Sequence, residues 1–374
     1  MKKLLFTLVT LLLLLLILAG GAELVLRSIG WAPSKDRWDY SHPFIRRKVR
    51  ANADMPYRAD PITGYQGEFR FQGGPIGYRT RTVTTREKPE RAYRIFFLGE
   101  STTACSYLPH ELTFAQKVED ALNANATGEQ RYECANAGVD GSGASDSLAM
   151  FLHDVVFANP DCVVVMHAVN DLVAGLYPKY VPDGSDPRSA KAKARNTYLE
   201  WFGDSRPLIY HFYKSLRPQQ SERFTLGHIR KEREAFADFP EQEITDFPNV
   251  RHYSRVLQTL VGACRAAGVR PVLMTEPSLY QENLSEEAKA RLWCGFQPRE
   301  GINPSVLSLM RGMNVYCEAV RSLGSELGVE VIDLEREIPK SLEFLFDDVH
   351  FTVKGCERAS AVIAPRLKAG RPSE

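Results

Sequence analysis

The sequence lacks an excess of either charge, because 47 Lys and Arg residues are balanced by 46 Asp and Glu residues and leave a net charge of +1. Such a balance produces no long-range field that attracts nucleic acid, so no nucleic-acid partner is expected. Cys-x-x-Cys pairs, the Cys and His spacings of metal sites, nucleotide-binding motifs and internal repeats are missing as well. We therefore predict a globular protein, with 44% apolar residues available for its core, that uses no metal and no cofactor.

The chain has seven cysteines, which is an odd number. An exported chain could oxidise some of them, but at least one would then stay free or pair with another chain. Cys162 precedes a run of valines, and Cys264 falls on one face of a predicted helix. Both contexts are typical of buried, inert thiols, and the sequence leaves any disulfide pairing open.

A long apolar run lies at the N-terminus, where Lys2 and Lys3 precede residues 4–22. About 20 residues cross a bilayer, so the run is just long enough to span one. The basic start predicts a cytoplasmic N-terminus and an extracytoplasmic body, in the periplasm or at the cell surface. The small residues 20–22 would also suit cleavage of a signal peptide and hence secretion. The run is longer than a usual signal core, which favours an uncleaved anchor. No cysteine lies near the end of the run, which argues against a lipoprotein.

The residue pattern divides the chain into three segments. Residues 1–30 are interpreted as the anchor or signal segment, residues 31–92 as a linker and a small β-rich lead-in, and residues 93–368 as the catalytic domain. Two stretches, 172–250 and 277–304, interrupt the last part. Insertions of this length in a compact domain are usually lids or small subdomains. The first is rich in aromatic residues that could form a sugar-stacking wall or an acyl groove.

From about residue 93 the pattern alternates between strands and helices. The strand candidates are short and apolar on both faces, as buried parallel strands are. They are residues 94–98, 132–136, 162–167, 269–275 and 329–334. Helices are predicted between them, for example at 114–125, where Thr113 and Gln116 form a capping-box signature, and along 253–264 before Gly268. The alternation predicts an α/β fold, a parallel sheet with helices on both faces, with catalytic groups at the carboxyl ends of the strands.

Ser101 follows the first of these strands directly after Gly99 and Glu100. A serine held at a strand end becomes a nucleophile when a base and a group orienting that base lie beside it. Asp347 and His350 are three residues apart before the last helix, a spacing that lets the carboxylate orient the imidazole. Alternatively, Ser101 is only a helix cap and the second pair belongs to an exposed turn. Asp348 is a further candidate orienter, although its spacing makes a hydrogen bond to the imidazole harder.

Two other strand ends carry candidate donors for an oxyanion. Residues 136–143 read Asn-Ala-Gly-Val-Asp-Gly-Ser-Gly, and glycines there let a backbone N–H approach a ligand closely. Residues 167–171 read His-Ala-Val-Asn-Asp, where Asn170 offers a side-chain amide at the same sheet edge. Each cluster alone is an ordinary loop sequence. The prediction depends on four separate strand ends that present serine, glycine, asparagine and the Asp-His pair in this order.

This order resembles the SGNH or GDSL-type hydrolase family, whose members share a flavodoxin-like three-layer α/β/α fold. The resemblance covers residues 93–368 and implies a serine hydrolase without a cofactor. It implies a catalytic triad and an oxyanion hole. The triad is Ser101, His350 and Asp347, and the oxyanion donors are the backbone N–H of Ser101, Gly141 (with Gly138 as the alternative) and the amide of Asn170.

The chain departs from the family pattern at two positions. Glu100 stands where the family usually has Asp, and Ala168 stands where it usually has Gly. Neither departure changes a proton-transfer group of the triad. His167 lies at a strand end and could line the pocket, but a structural histidine is the preferred interpretation. The histidines outside the motifs receive no role; they include His110, His153, His228 and His252.

From these residues we predict an esterase that hydrolyses or transfers acyl groups, acetyl groups above all, on an extracytoplasmic carbohydrate. Two alternatives stay open. The enzyme could be a lipase or thioesterase acting on longer acyl chains, or the chain could be a membrane-tethered, non-catalytic glycan-binding scaffold, since a fold does not determine a function. The predicted partners are accordingly an acylated carbohydrate or lipid and the membrane around the N-terminal helix.

Overall fold

The computed structural model describes residues 2–29, 37–39, 41–124, 131–177, 180–181, 209, 222–223 and 238–369. Most of the predicted 172–250 insertion and His228 therefore lie outside the described residues, whereas the 277–304 segment lies within them. The strands are β1 (Trp38–Asp39), β2 (Lys48–Val49), β3 (Asp54–Ala59), β4 (Gly67–Gln72), β5 (Ala92–Gly99), β6 (Arg131–Asn136), β7 (Cys162–Met166), β8 (Glu222–Arg223), β9 (Arg270–Met274) and β10 (Glu330–Ile332). The helices are α1 (Lys2–Ser28), α2 (Ser101–Ala104), α3 (Phe114–Ala124), α4 (Ala144–His153), α5 (Val169–Gly175), α6 (Val250–Ala266), α7 (Glu286–Lys289), α8 (Val306–Leu327), α9 (Leu334–Glu337) and α10 (Val353–Ala369).

Five parallel strands form the central sheet in the order β10-β9-β7-β5-β6. Counted along the chain, this is the order 5-4-3-1-2, which is the doubly wound flavodoxin-like arrangement. The predicted α/β fold with a five-stranded parallel sheet is thus confirmed, with strand ends that differ by a few residues from the prediction. All eight residues of β5 are buried, which explains why the strand reads as an apolar run without alternation.

The connections place helices on both faces of the sheet. Because parallel crossovers are right-handed, a reversal of direction along the sheet moves the connecting helix to the opposite face. The chain reverses once, after β6, so α3 lies on one face and α4, α6 and α8 lie on the other. The contacts agree, since α10 returns to pack on α3 while α4 and α8 both pack on α6.

The helix ends follow the sequence signals in part. Gly268 adopts φ +71°, which ends α6 as predicted. At the start of α3, Thr113 Oγ1 accepts the N–H of Gln116 at 3.4 Å, but the Gln116 side chain bonds Glu119 and Asp120 instead of the cap backbone. Only half of the predicted capping box therefore forms, because two nearer carboxylates compete for the amide.

Two small sheets precede the parallel sheet. Strands β1 and β2 pair antiparallel, and β3 pairs antiparallel with β4 and parallel with β8. The chain then reaches Arg79, which bridges the edge strand β6 at Asn136. The Arg79 side chain is 1% exposed, and its guanidinium donates to the carbonyls of Ala104, Cys105 and Leu108. The lead-in segment thereby supports the turn that follows Ser101.

Helix α1 is long and apolar enough, over Leu5–Ser28, to cross a membrane, with a mean hydropathy of 2.6. Most of its large apolar side chains are exposed, for example Ile17 and Leu18 at 69% and 68%, whereas Leu26 is buried. The helix can be either an anchor or a signal sequence. All seven cysteines are buried free thiols, and the Sγ atoms of Cys105 and Cys356 lie 3.9 Å apart.

Candidate active site

Ser101 lies where β5 ends and α2 begins, at the point in the sheet where the strand order reverses. A ligand crevice is expected at that point in open α/β sheets. Glu100 adopts extended backbone angles and is the residue before the helix, so Ser101 is its first helical residue rather than its cap. The turn requires Gly99, because a Cβ there would lie 2.1 Å from Thr103 Oγ1 and 2.6 Å from the carbonyl oxygen of Met166.

The structure brings the Ser101 hydroxyl and the distant Asp347–His350 turn together. His350 Nε2 lies 2.8 Å from Ser101 Oγ, and His350 Nδ1 lies 2.9 Å from both carboxylate oxygens of Asp347. Asp347 also accepts the backbone N–H groups of Val349 and His350, so the turn holds its own carboxylate in place. With Nδ1 donating to Asp347, Nε2 is left to accept the serine proton.

Burial and neighbouring charge shift the pKa of His350 in opposite directions, and the same is true of the pKa of Asp347. Asp347 is 0% exposed and His350 is 2% exposed. Burial disfavours the charged imidazole, but the Asp347 carboxylate and its hydrogen bond outweigh it and raise the pKa of His350 to about 9. Burial likewise opposes ionisation of Asp347, yet the positive charge of His350 and hydrogen bonds from His350 and Trp293 lower the pKa of Asp347. Asp347 therefore stays ionised and stabilises a protonated imidazole.

Trp293 completes this arrangement, and the sequence motifs did not indicate it. Its indole Nε1 donates to Asp347 Oδ2 at 3.0 Å, and its ring lies parallel to the His350 ring with centroids 6.0 Å apart. Phe346 stacks on the same imidazole, and Tyr107 contacts it edge-on. The location of Trp293 inside an insertion that interrupts the fold was the one available signal of its importance.

The Asp348 carboxylate forms hydrogen bonds with a different set of residues from the Asp347 carboxylate. Its carboxylate accepts the hydroxyl of Tyr280 at 2.7 Å and the backbone N–H groups of Trp293 and Cys294 at 2.7 and 3.2 Å. Burial and the neighbouring charge of Asp347 raise the pKa of Asp348 to about 6. Both aspartates are 0% exposed, so an exposed capping turn is wrong. Asp348 holds the 277–304 segment against the turn that carries His350.

The two glycines weighed as oxyanion donors differ in their surroundings. The N–H of Gly138 donates to Asn136 Oδ1 at 2.9 Å, and a Cβ at this position would lie 2.4 Å from the backbone N of Ala104. Gly138 is therefore a packing glycine whose N–H is already used. Gly141 adopts φ +65°, and its carbonyl accepts the guanidinium of Arg46 at 2.5 Å. Gly141 remains the predicted donor.

Asn170 lies in the first turn of α5. Its amide Nδ2 donates to the carbonyl of Ser142 at 2.9 Å, which ties the turn after β7 to the loop after β6. A side-chain amide has two N–H groups, so one bond of this kind leaves a second for a substrate oxygen. Ala168 is 1% exposed and donates its N–H to Glu100, so its methyl group is buried.

His167 is a buried structural histidine, as preferred from the sequence. It is 1% exposed, and its Nε2 lies 2.7 Å from Ser147 Oγ. Burial lowers the pKa of His167 to about 3, so the ring is neutral at physiological pH. Within the described ranges, no group of three or more His, Cys, Asp or Glu side chains is arranged to hold a metal ion.

No family model and no curated protein matches the chain. Among solved structures, the acetylxylan esterase Axe2 from Geobacillus stearothermophilus is 16% identical, over 75% of this chain and 95% of its own, with a TM-score of 0.41. A lipase/acylhydrolase from Enterococcus faecalis is 18% identical, over 75% and 99%, with a TM-score of 0.41. The acetyl xylan esterase AlAXEase is 15% identical, over 74% and 100%, with a TM-score of 0.40. At these values the chemistry of this chain has to be argued from its own residues.

Proposed function

We propose that the protein is a serine esterase that hydrolyses or transfers acyl groups, acetyl groups above all, on an extracytoplasmic carbohydrate. The observation that carries this proposal is the hydrogen-bonded series Ser101, His350 and Asp347, whose members come from two ends of the domain. A serine hydroxyl in contact with an oriented imidazole is the arrangement that makes a weak nucleophile reactive.

In the proposed reaction, Ser101 Oγ attacks the ester carbonyl while His350 Nε2 takes the hydroxyl proton. Asp347 stabilises the imidazolium, and Trp293 keeps the carboxylate in place. The backbone N–H groups of Ser101 and Gly141 and the amide of Asn170 stabilise the tetrahedral oxyanion. His350 then protonates the leaving alcohol, and water or a sugar hydroxyl releases the acyl group from Ser101.

The choice of a carbohydrate as the proposed substrate depends on the N-terminal segment. A helix that can cross a membrane, preceded by Lys2 and Lys3, would anchor the enzyme with its catalytic domain outside the cytoplasm. Acylated glycans are among the esters that such a position offers, together with lipids. Cell fractionation and the intact mass of the purified protein test this part. Membrane association at full mass supports the anchor, and a soluble product that lacks the first residues would show cleavage instead.

The catalytic proposal is tested by turnover of p-nitrophenyl esters by the full-length protein in detergent. Ser101→Ala should lower kcat by at least about 1,000-fold, because it removes the hydroxyl that lies 2.8 Å from His350 Nε2. Ser145→Ala is the matched control, since Ser145 is exposed and bonds His252, and it should keep full activity. Equal activity of Ser101→Ala and the parent would refute the mechanism.

The acyl preference is tested by chain length and by natural esters. A preference for C2 over C8 esters and release of acetate from an acetylated polysaccharide support the proposed substrate class. Preference for C8 would favour an enzyme acting on lipids or thioesters. Polysaccharide binding with no labelling of Ser101 by a fluorophosphonate would favour a non-catalytic scaffold.

A further inference from the structure

Two buried glutamates meet beneath the candidate active site. Glu100 follows β5 and Glu276 follows β9, and these strands flank β7 in the sheet. Both residues are 0% exposed, and their carboxyl groups are hydrogen-bonded to each other. Neither is a member of the proposed triad or oxyanion hole, so the reaction described above does not use them.

The other partners of the two carboxyl groups lie on both sides of the crevice. Glu100 Oε1 and Oε2 accept the backbone N–H groups of Ala168 and Asn170, each at 3.1 Å. Glu276 Oε2 accepts the N–H of Val169 at 2.9 Å, and Glu276 Oε1 accepts the hydroxyl of Thr102 at 2.6 Å. The pair thus binds three successive N–H groups of the turn that carries Asn170, and it binds the residue next to Ser101.

Among the described residues, the hydrogen-bond donors to the two carboxyl groups are N–H and O–H groups rather than a cation. Two carboxylates in contact and out of water repel each other strongly, so the stable form holds one proton between them. Burial, together with the charge and hydrogen bond of Glu276, raises the pKa of Glu100 well above its usual range.

Other titratable groups face the pair from every side. They are Asp171 of α5, Tyr253 of α6, Cys294 of the 277–304 segment, Cys317 of α8, and His350. Of these, only His350 becomes a cation, and it is bound by Asp347. Burial raises the pKa of Asp171 to about 7, so its ionisation near neutral pH adds a further negative charge and reinforces retention of the shared proton.

We propose that Glu100 and Glu276 are positioning residues, and that their two carboxyl groups together set the distance between the Ser101 nucleophile and the Asn170 amide. The inference rests on the proposed esterase function. The pair connects the ends of three neighbouring strands, so the donor for the oxyanion and the attacking oxygen are held by one rigid unit. Removal of the shared proton at alkaline pH leaves two repelling carboxylates, which releases the turn from Ala168 to Asn170 and slows the reaction.

The test is Glu276→Gln in the full-length protein, with p-nitrophenyl acetate as substrate. The amide keeps the size of the side chain but has a single acceptor oxygen, so it cannot accept both the Thr102 hydroxyl and the Val169 N–H. We expect kcat to fall at least roughly tenfold, because a buried donor loses its partner, while KM changes less than about twofold. The alkaline limb of kcat should also disappear, since only one ionisable carboxyl remains.

Glu119→Gln is the matched control. Glu119 is 4% exposed and accepts Thr82 Oγ1 and the N–H of Cys134, both at 2.6 Å, but it lies on α3 and makes no contact with the turn at 168–170. This variant should lose stability and keep the kcat and alkaline limb of the parent. The inference is overturned if Glu276→Gln keeps the kcat and the alkaline limb of the parent. It is also overturned if Glu276→Gln and Glu119→Gln change kcat and its pH dependence in the same way.

If Glu276→Gln does not fold, Glu100→Gln tests the same pair from the other side, and infrared spectra of the parent show whether a buried protonated carboxyl is present. Absence of that carboxyl band at pH 7 would also overturn the inference. The outcomes separate it from the proposed function. An inactive Ser101→Ala beside an unaffected Glu276→Gln rejects only the positioning role, whereas an active Ser101→Ala rejects the esterase itself.

Discussion

The Asp347 carboxylate receives four donors, from the His350 imidazole, the backbone N–H groups of Val349 and His350, and the Trp293 indole. Three of the four come from within three residues of Asp347. The fourth comes from a segment more than fifty residues earlier in the chain. The orientation of the base is therefore partly local and partly dependent on the insertion that carries Trp293.

The role of the indole N–H is tested by Trp293→Phe. Phenylalanine keeps an aromatic ring over His350 but removes the donor to Asp347, so the carboxylate loses one hydrogen bond and its pKa rises. A hydrogen bond to a charged group contributes about 1.5–3 kcal/mol, and we expect kcat to fall about tenfold with little change in KM. Ester kinetics at fixed pH measure the effect. A variant with unchanged kcat would show that the indole N–H does not contribute.

The pKa of His350, raised to about 9, predicts the pH dependence of the reaction. The base has to be neutral, so kcat/KM should rise from pH 6 and level off only near pH 9. Asp347→Asn removes the negative charge that raises this pKa, so the ascending limb should move to lower pH, while kcat itself falls by roughly 10,000-fold. A limb that stays in place in Asp347→Asn would contradict this assignment of the charge effect.

At the scale of elements, the one-turn helix α2 is held by groups from outside itself. Arg79 donates to the carbonyl of Ala104, the last residue of the helix, and to the carbonyls of Cys105 and Leu108 in the turn that follows it. Gly138 packs directly against its last residues. The position of Ser101 consequently depends on the lead-in segment and on the loop after β6 as well as on β5.

Arg79→Lys tests this support. A lysine keeps the charge but presents a single ammonium group, which cannot reach three separate carbonyl oxygens in place of the planar guanidinium. We expect the free energy of unfolding to fall by about 2–4 kcal/mol and kcat to fall with it. Arg70→Lys is the control, because Arg70 is exposed and, among the described residues, its guanidinium bonds only Asp54. Denaturant unfolding of this variant should show less than about 0.5 kcal/mol of change. Similar losses in both variants would argue against the support.

At the scale of the whole molecule, six of the seven cysteines belong to one continuous hydrophobic core, and the seventh, Cys317, is buried as well. None is more than 7% exposed. Burial and neighbouring groups raise the pKa of most of these thiols, for example that of Cys162 to about 12, which keeps them protonated and unreactive. The structure therefore holds its cysteines as small apolar side chains.

Thiol titration of the purified protein tests this. A thiol reagent should modify almost no cysteine in the native protein and all seven after unfolding in denaturant, because exposure of the thiols requires loss of the core. Five reactive thiols in the unfolded protein would contradict the prediction, and would indicate a disulfide between Cys105 and Cys356, whose Sγ atoms are 3.9 Å apart.

The amino-acid sequence determined what is local. Short runs of mostly apolar residues indicated all five parallel strands, and their alternation with helices indicated the doubly wound sheet. The three-residue spacing of Asp347 and His350 was enough to predict their contact, because a single turn of backbone brings them together.

Tertiary structure alone decided the contacts between distant segments. It placed Ser101 beside His350, which is 249 positions away in the chain, and it stacked Trp293 on the His350 imidazole. It also placed Glu100 beside Glu276, at the ends of two strands that flank a third. It also showed that the N–H of Gly138 is already bonded, and that Asp348 binds the 277–304 segment instead of His350. Periodicity and spacing report only on neighbours along the chain, whereas these contacts arise from the packing of loops at one sheet edge, where no repeating pattern marks the partners.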